Sequence, residues 1–309
     1  MRVFLAGATG VIGRRLVPAL LAAGHEVTAM CRSPERAEQA RATGAEAAIA
    51  DALDAEAVRS AVASARADAV VNQLTALPKR IDPRRIERDF ELNDRLRSEG
   101  SAILAAAARD AGVARLVAQS IAFMYEPGPP GTVHAEEDPL VRRPAPSFAR
   151  SADAIKRLER TTREHGGTVL RYGYFYGPGS AVATDGSIVQ DLRRRRMPVV
   201  GSGDGVWSFV HVDDAADATV AALSAPPGTY NVVDDEPAAV RDWLPALARA
   251  AGAPRPLRVP AFIARLAAGD YGVQVMTAGQ GASSARAKRE LEWGPGHASW
   301  REGFRTALG

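Results

Sequence analysis

Three glycines spaced three residues apart follow the first apolar segment of the chain, in VFLAGATGVIGRRL. Between a strand and a helix, such glycines allow a tight turn and a close approach of the backbone to a phosphate, which meets free N–H groups at the helix N-terminus. We therefore predict a dinucleotide-binding loop, with a purely structural glycine turn as the alternative. The predicted contacts of this loop are Gly7, Thr9, Gly10, Val11, Ile12 and Gly13.

The end of the second apolar segment indicates which dinucleotide is bound. An acidic residue there would hydrogen-bond a free ribose 2′-hydroxyl, but the chain reads AMCRSPER, with Cys31 in the place of the acid and Arg32 next. A guanidinium can pair with a 2′-phosphate. We expect NADP(H) to be preferred over NAD(H), which stays the alternative. Arg32 could instead be a surface residue at the start of the next helix.

Further segment ends complete the predicted cofactor site. Asp51 follows the third apolar segment, in IADALD, where its carboxylate can hydrogen-bond the adenine or serve as an ordinary helix N-cap. The remaining predicted contacts lie beside Asp51 and at the ends of the fourth and sixth segments: Ala52, Leu74 and Tyr172.

Strands and helices alternate through the first half of the chain, as the positioning of this loop requires. Near-continuous apolar strands separated by helices predict a parallel sheet covered on both faces, an α/β fold of the Rossmann-type, doubly wound kind. The predicted strands are 3–6, 26–30, 45–50, 68–74, 115–120 and 168–172, and the predicted helices lie near 12–23, 34–43, 55–65, 84–111 and 148–165. Gly24, Gly44 and Gly112 stand where left-handed helix C-caps belong.

Beyond residue 172 the alternation loosens, which predicts a smaller C-terminal lobe that binds the substrate. We assign 1–171 and about 206–232 to the dinucleotide-binding domain, and about 172–205 and 233–309 to this lobe. Helices are expected near 186–196, 212–224, 238–251, 261–268, 284–291 and 299–308. The Pro-rich stretch 126–146 is predicted to be a long loop, which in compact domains is often functional.

Composition excludes several classes of protein. The net charge of the 309 residues is only +3, and the run Arg193 to Arg196 is interpreted as a helix end whose cations complement the helix dipole. No apolar run approaches the ~18 residues of a membrane span, and no signal peptide is recognisable. We expect a soluble, cytoplasmic protein that binds a small molecule, and neither nucleic acid nor membrane. The scattered histidines predict no metal site.

Several motifs together resemble the extended short-chain dehydrogenase/reductases, the NAD-dependent epimerase/dehydratase family. They are GATGVIG, LRYGYFYGPG (170–179), FVHVDDAADATVAAL (209–223), YNVVDDEP (230–237) and SSARAKRELEWGP (283–295). The resemblance covers nearly the whole chain. It implies a Rossmann domain, a substrate lobe, a bound dinucleotide and, often, a homodimer paired through helices, for which 84–111 and 148–165 are the candidates.

Local alignment predicts that the catalytic residues of this family are replaced in this chain. Its enzymes normally use a Tyr-x-x-x-Lys pair and a Ser or Thr, but no Tyr-x-x-x-Lys occurs in this sequence, which has only three lysines. Local alignment places Ser151 at the tyrosine, Ile155 at the lysine and Ile121 at the Ser/Thr position. Lys156 is one residue off, about 100° around the helix, so it should not face the ribose.

Three residues near the expected nicotinamide are candidates for the missing acid: Ser120, Tyr125 and Tyr174. Ser120 is adjacent to the Ser/Thr position, and Tyr125 holds the tyrosine of a Val-Tyr-Gly motif that lies near the cofactor in relatives. Tyr174 and Trp207 suggest an aromatic pocket, or else they only pack between the lobes. For His211 we expect a structural role.

We conclude from the sequence that the chain is an NADP-dependent oxidoreductase with an atypical active site. Hydride would pass to or from a small carbonyl, hydroxyl or conjugated substrate, and a conjugated substrate would need less acid assistance. The alternative is a non-catalytic NADP-binding sensor or scaffold protein, which the vacant catalytic positions also fit.

Overall fold

Seven parallel strands form the central sheet of the computed structural model, which describes residues 1–129 and 131–308. The strands are β1 (Arg2–Ala6), β2 (Glu26–Cys31), β3 (Glu46–Ile49), β4 (Ala69–Asn72), β5 (Arg115–Ile121), β6 (Thr168–Tyr172) and β7 (Thr229–Val232). Their spatial order is β7-β6-β5-β4-β1-β2-β3, with every neighbouring pair parallel. The predicted Rossmann-type, doubly wound sheet is confirmed, and its order reverses between β1 and β4, where such folds bind ligands.

The seventh strand was not among the predicted ones. β7 has only four residues, and it pairs with β6 at Tyr230 opposite Leu170. A run of four residues that alternates polar and apolar side chains is too short to be identified by its pattern alone. Its place beside β6 depends on contacts with residues 60 positions earlier in the chain.

Helices cover both faces of this sheet. In the first half they are α1 (Gly13–Ala22), α2 (Pro34–Arg41), α3 (Ala55–Ser64), α4 (Ile86–Asp89), α5 (Glu91–Arg95), α6 (Ser101–Asp110) and α7 (Ala149–Glu164). The single helix predicted over 84–111 is therefore wrong. It is interrupted at Phe90, and a π-helical turn over Leu96–Gly100 joins α5 to α6. π-turns of this kind are frequent at functional sites.

The predicted glycine caps are confirmed. Gly24, Gly44 and Gly112 follow the ends of α1, α2 and α6 with φ angles of +79°, +89° and +70°. These values lie in the left-handed region, which a glycine adopts without the steric cost that a Cβ would add. Each glycine turns the chain out of a helix and into the next strand.

The remaining helices are α8 (Ser187–Arg193), α9 (Val212–Ala222), α10 (Val240–Ala250), α11 (Ala261–Thr277), α12 (Ala285–Glu290) and α13 (Trp300–Leu308). α11 is longer than predicted and has a kink at Gly269, where φ is +65°. Short strand pairs link the elements of this half: Tyr174–Tyr176 with Phe209–His211, Val199–Val200 with Arg258–Val259, Val206–Trp207 with Ala238–Ala239, and Val133–His134 with Gly281–Ala282.

Packing on both faces of the sheet explains why successive residues of β1 are apolar. Leu5 of β1 packs into a core cluster with α1 and α9, whereas its neighbour Phe4 packs into a cluster with α3 and α6 on the opposite face. A third cluster joins α8, α10, α11 and α13 around Trp243 and Trp300. The stretch 126–146 is irregular apart from Val133–His134, and Pro130 within it lies outside the described residues. In the described part of the chain, no helix is both long and apolar enough to cross a membrane.

Candidate functional site

The glycine loop makes the tight turn that its spacing predicted. Gly7 has a φ of +94°, and a Cβ there would stand 2.4 Å from the carbonyl oxygen of Gln73. A Cβ on Gly13 would stand 2.2 Å from the Gly7 carbonyl oxygen, so neither position accepts a side chain. Gly10 is exposed, and its N–H donates to the Gly7 oxygen over 3.0 Å. The loop is thus compact on its inner side and open at Gly10.

Free backbone donors lie at the mouth of this loop. α1 begins at Gly13 without a side-chain cap, and the N–H groups of Val11 and Ile12 meet no acceptor among the described residues. Val11 is exposed, Ile12 is buried in the core, and the carbonyl oxygen of Thr9 accepts from Arg14. The uncapped helix end and the glycine that lets a ligand approach are the features that a dinucleotide phosphate requires, so the residues present fit such a group.

The other predicted cofactor residues lie along the same edge of the sheet. Arg32 is exposed directly after β2 and pairs with no carboxylate in the described part of the chain. Asp51 is exposed after β3; its Oδ1 accepts the Leu53 N–H over 2.9 Å, and Asp54 caps α3 instead. Ala52 is buried and packs in one cluster with Leu74. These cofactor contacts stay predictions, and all of these residues stand at the carboxyl ends of strands.

Tyr172 is enclosed by other residues of the protein. Its side chain is completely buried, and its hydroxyl contacts Thr219 Oγ1 at 2.6 Å and accepts from Gln73 Nε2 at 3.2 Å. Burial raises the pKa of this hydroxyl to about 12. The Tyr172 hydroxyl thus holds Gln73, whose carbonyl oxygen lies against Gly7, and a contact of Tyr172 with the cofactor stays a prediction.

Ser120 belongs to a buried ion-pair network and not to an open cleft. Arg171 donates to both oxygens of Glu159, from Nε at 2.9 Å and from Nη2 at 2.7 Å, and Ser120 Oγ donates to the same carboxylate at 2.7 Å. All three side chains are buried. Burial alone would raise the pKa of Glu159, but the hydrogen bonds and charge of Arg171 outweigh it and the pKa lies below its ordinary value. The serine hydroxyl is thus committed to a structural carboxylate.

Tyr125 belongs to the same network. Its hydroxyl accepts from Arg171 Nη1 at 3.0 Å and donates to Asn231 Oδ1 at 2.6 Å, and its ring stacks on His134. Burial raises the pKa of the hydroxyl despite the neighbouring guanidinium. The hydroxyls of Ser120 and Tyr125 both form hydrogen bonds within the buried network. For this reason we no longer regard either residue as a candidate for proton transfer.

The three positions aligned with the family's catalytic residues offer no acid or base. Ser151 Oγ is buried and donates to Asp94 Oδ2 at 3.0 Å. Ile121 and Ile155 pack in one apolar cluster between β5 and α7. Lys156 donates to the carbonyl oxygen of Val141 at 2.6 Å, which agrees with its predicted position around the helix.

Arg97 is a notable residue that the sequence analysis missed. It lies in the π-helical turn, is only 4% exposed, and its Nε and Nη1 have no hydrogen-bond partner among the described residues. Burial lowers the pKa of the guanidinium to about 10, and the charges of Asp94 and Glu159 oppose this shift. The chain contains 39 lysines and arginines, so nothing in the local sequence distinguishes this one.

Tyr174 lies in an aromatic group at the carboxyl ends of β5 and β6. Its ring stacks on Phe123 with 4.1 Å between centroids and on Trp207 with 3.7 Å. Tyr271, which was also missed, stacks on Phe148 at the start of α7 and packs against the cluster that contains Ile121. Tyr174 is therefore held between two aromatic neighbours, Phe123 and Trp207.

His211 has a structural position. Its Nδ1 accepts from the Asp213 N–H at the start of α9, and its ring stacks on His297 with 3.8 Å between centroids. Burial and then the His297 charge lower the pKa of His211. His297 lies 3.2 Å from Asp214, so the pair joins α9 to the segment before α13.

Comparison with known proteins gives a family match over most of the chain and a relative that matches nearly all of it. The model of the NAD dependent epimerase/dehydratase family matches residues 3–232. A Streptomyces protein named 3-diazoavenalumate denitrifying reductase is 48% identical over 310 residues, which cover 98% of this chain and 99% of that protein.

Solved structures share the whole fold. The Thermus thermophilus UDP-glucose 4-epimerase, in complex with NAD, aligns with a TM-score of 0.75 at 27% identity and covers 100% of this chain and 98% of its own. A human epimerase family protein with NADPH aligns with a TM-score of 0.76 at 20% identity, covering 100% and 99%. The second likeness shows the fold alone.

Proposed function

Because this chain belongs to the NAD dependent epimerase/dehydratase family, whose members include epimerases and reductases, we propose that it is an NADPH-dependent reductase that removes the nitrogen of a conjugated diazo carboxylate as N2. The chain is an enzyme and an oxidoreductase; the substrate class and the NADPH preference are the proposal. The observation that carries it is the 48% identity, over nearly all of both chains, to a reductase named for denitrifying a diazo compound.

The chemistry of such a substrate agrees with the residues of the site. When bound, the dinucleotide supplies a hydride. A diazonium carbon that gains this hydride exchanges its C–N bond for a C–H bond, N2 leaves, and NADPH is oxidised to NADP⁺. Charge and atoms balance without any proton, so no general acid is required. This supports a site in which Ile121, Ser151 and Ile155 stand where related enzymes place their proton-transferring residues.

The protein's own groups would bind and orient the two ligands. The glycine loop and the uncapped start of α1 would hold the pyrophosphate, and Arg32 would pair with the 2′-phosphate. Tyr174 is stacked between Phe123 and Trp207, so the hydroxyl edge of its ring, and not a ring face, would meet a substrate that carries a cationic diazonium group. Replacement of a lysine by Ile155 removes a positive charge that would repel this group.

The non-catalytic sensor hypothesis is not retained, because the relative at 48% identity is named as a reductase. We keep three sequence-based expectations as proposals. The protein acts in the cytoplasm, the chain divides into two lobes at the boundaries given above, and it pairs as a homodimer through α4–α6 and α7. Within one chain α5 and α6 pack against α7, and the helical face that they form together is the surface proposed for the pairing.

The test uses NADPH that carries deuterium at the transferable position, together with 4-diazobenzoate, a diazonium carboxylate. We expect NADP⁺, N2 and benzoate to form in equal amounts, with one deuterium on the ring carbon that carried nitrogen. Mixtures without protein and with the Gly13→Ala variant measure the uncatalysed reaction. If the protein accelerates neither N2 release nor deuterium transfer above these controls, with this substrate or with phenolic and cinnamic diazo carboxylates, the proposal fails.

A further inference from the structure

The two tyrosines of the aromatic group differ from all the others in the chain. The sequence has six tyrosines, and the hydroxyls of four contact protein hydrogen-bond partners: Tyr125, Tyr172, Tyr176 and Tyr230. The Tyr174 and Tyr271 hydroxyls have no partner among the described residues. Some side-chain oxygens and nitrogens of the described residues are both fully buried and without a hydrogen-bond partner, and neither of these two hydroxyl oxygens is among them. Both oxygens therefore keep some solvent-accessible surface. Two unused donors therefore remain accessible at this place.

The structure ties these two residues to the same region. Tyr174 follows β6 and stacks on Trp207, whose indole N–H donates to the carbonyl oxygen of Val275 over 2.9 Å. Val275 lies on α11 one helical turn beyond Tyr271. Tyr271 in turn stacks on Phe148, next to the start of α7. Both hydroxyls thus lie among the elements that surround the carboxyl ends of β5 and β6.

Their environment keeps both hydroxyls protonated. Burial raises the pKa of Tyr271 and of Tyr174 above the ordinary value of 10, and a negative charge on Tyr271 would raise the pKa of Tyr174 further. At neutral pH each side chain is therefore a neutral hydrogen-bond donor. Donors with little water around them stabilise negative charge on an acceptor more strongly than water-exposed donors do.

We propose that the hydroxyls of Tyr174 and Tyr271 together donate to one substrate oxygen, a phenolate-type oxygen conjugated with the group that is reduced. The proposal deepens the proposed function and rests on it for the identity of that reduced group. No covalent step is involved: the two donors hold electron density on the oxygen and so keep the diazonium carbon electrophilic toward hydride. The ring of Tyr174 is fixed between Phe123 and Trp207, so its hydroxyl is held in one direction.

The test measures binding of 4-nitrophenol, whose phenol and phenolate forms differ in visible absorbance, to the protein saturated with NADP⁺. We expect the wild-type protein to bind the phenolate form preferentially. Tyr174→Phe and Tyr271→Phe should each weaken this binding about ten- to a hundredfold, which is typical of a lost hydrogen bond to a charged group. The double variant should lose less than the product of the two factors, because both donors serve one oxygen. Tyr230→Phe, whose hydroxyl contacts Pro226, is the matched control.

Thermal unfolding and NADPH titration of each variant show whether its fold and cofactor site are intact. The proposal is overturned if wild type binds no 4-nitrophenol, or if both single variants bind it like wild type. It is also overturned if the variants change the binding of 4-nitrobenzoate, measured in the same way, and not that of 4-nitrophenol. The oxygen held by the tyrosines would then be a carboxylate oxygen. These outcomes are independent of turnover. A protein that binds the phenolate through both tyrosines but reduces no diazo compound retains the oxygen site and refutes the proposed function.

Discussion

Glu159→Gln should strongly destabilise the protein, because Glu159 is the centre of its buried ion pair. The carboxylate is fully buried and accepts four hydrogen bonds, two from Arg171 and one each from Ser120 and Arg163. An amide keeps the shape but turns one acceptor into a donor, and it leaves the 4% exposed Arg171 without a counter-charge. Breaking a buried pair by removing one partner costs about 3–5 kcal/mol.

Urea unfolding followed by tryptophan fluorescence measures this cost. With a slope of about 3 kcal/mol/M for a chain of this size, the transition midpoint should fall by about 1 to 1.7 M. Glu164→Gln is the matched control, because Glu164 lies on the same helix, is exposed, and reaches Arg160 only at 3.9 Å. Exposed pairs of this kind contribute at most about 1 kcal/mol. Equal midpoints for the Glu159 variant and the control would refute the argument.

The pH dependence gives a second check on the same variant. The folded-state pKa of Glu159 lies below its ordinary value of 4.5, so the carboxylate stabilises the fold above pH 4.5 and this contribution is lost as the pH falls through the lowered value. The difference between wild type and Glu159→Gln should therefore be constant near neutral pH and shrink below about pH 4. A difference that grows on acidification would contradict the assignment of the charge to Glu159.

Three further perturbations test the cofactor loop, the cofactor preference and a second buried carboxyl. Gly13→Ala should abolish NADPH binding and lower stability, because its Cβ would meet the Gly7 oxygen at 2.2 Å. The control Gly294→Ala meets no atom within 4 Å and should change neither NADPH binding nor stability. NADPH fluorescence measures the binding, and thermal unfolding measures the stability. Arg32→Ala should weaken NADPH binding about ten- to a hundredfold in titration calorimetry and leave NADH binding unchanged; an equal loss for both nucleotides would disprove the 2′-phosphate contact. Burial raises the pKa of Asp234 to about 8, so the stability that its protonated carboxyl contributes should be present at pH 4 and be lost as the pH rises through 8. The free energy of unfolding in urea should therefore fall between pH 5 and 9 in wild type. Asp234→Asn should remove this pH dependence.

Features that depend on residues close together in the chain were determined by the sequence alone. The glycine loop, the strand–helix alternation and the caps at Gly24, Gly44 and Gly112 each depend on spacings of a few residues, which restrict the backbone directly. The lack of a Tyr-x-x-x-Lys pair is likewise a property of the sequence itself. The position of Arg32 after β2 follows from the end of one strand.

Roles that depend on distant partners were decided only by the tertiary structure. Ser120 and Ile121 are neighbours on β5, but successive side chains of a strand point to opposite faces, so one meets Glu159 and the other packs in an apolar cluster. The carboxylate that Ser120 meets belongs to Glu159 on α7, 39 residues later in the chain. Local alignment placed Ile121 at the Ser/Thr position and left the adjacent Ser120 as a candidate, because the sequence does not show that the Ser120 hydroxyl bonds Glu159.

The pairing of Tyr174 with Tyr271 shows the same limit. These residues are separated by 97 positions in the sequence, and the motif LRYGYFYGPG singled out Tyr174, whereas no motif pointed to Tyr271. Only the packing of α11 against Trp207 and Phe148 brings the two unbonded hydroxyls to one end of the sheet. Whether a hydroxyl has a hydrogen-bond partner depends on all the groups around it in the folded protein. The order of residues in the sequence does not contain this information.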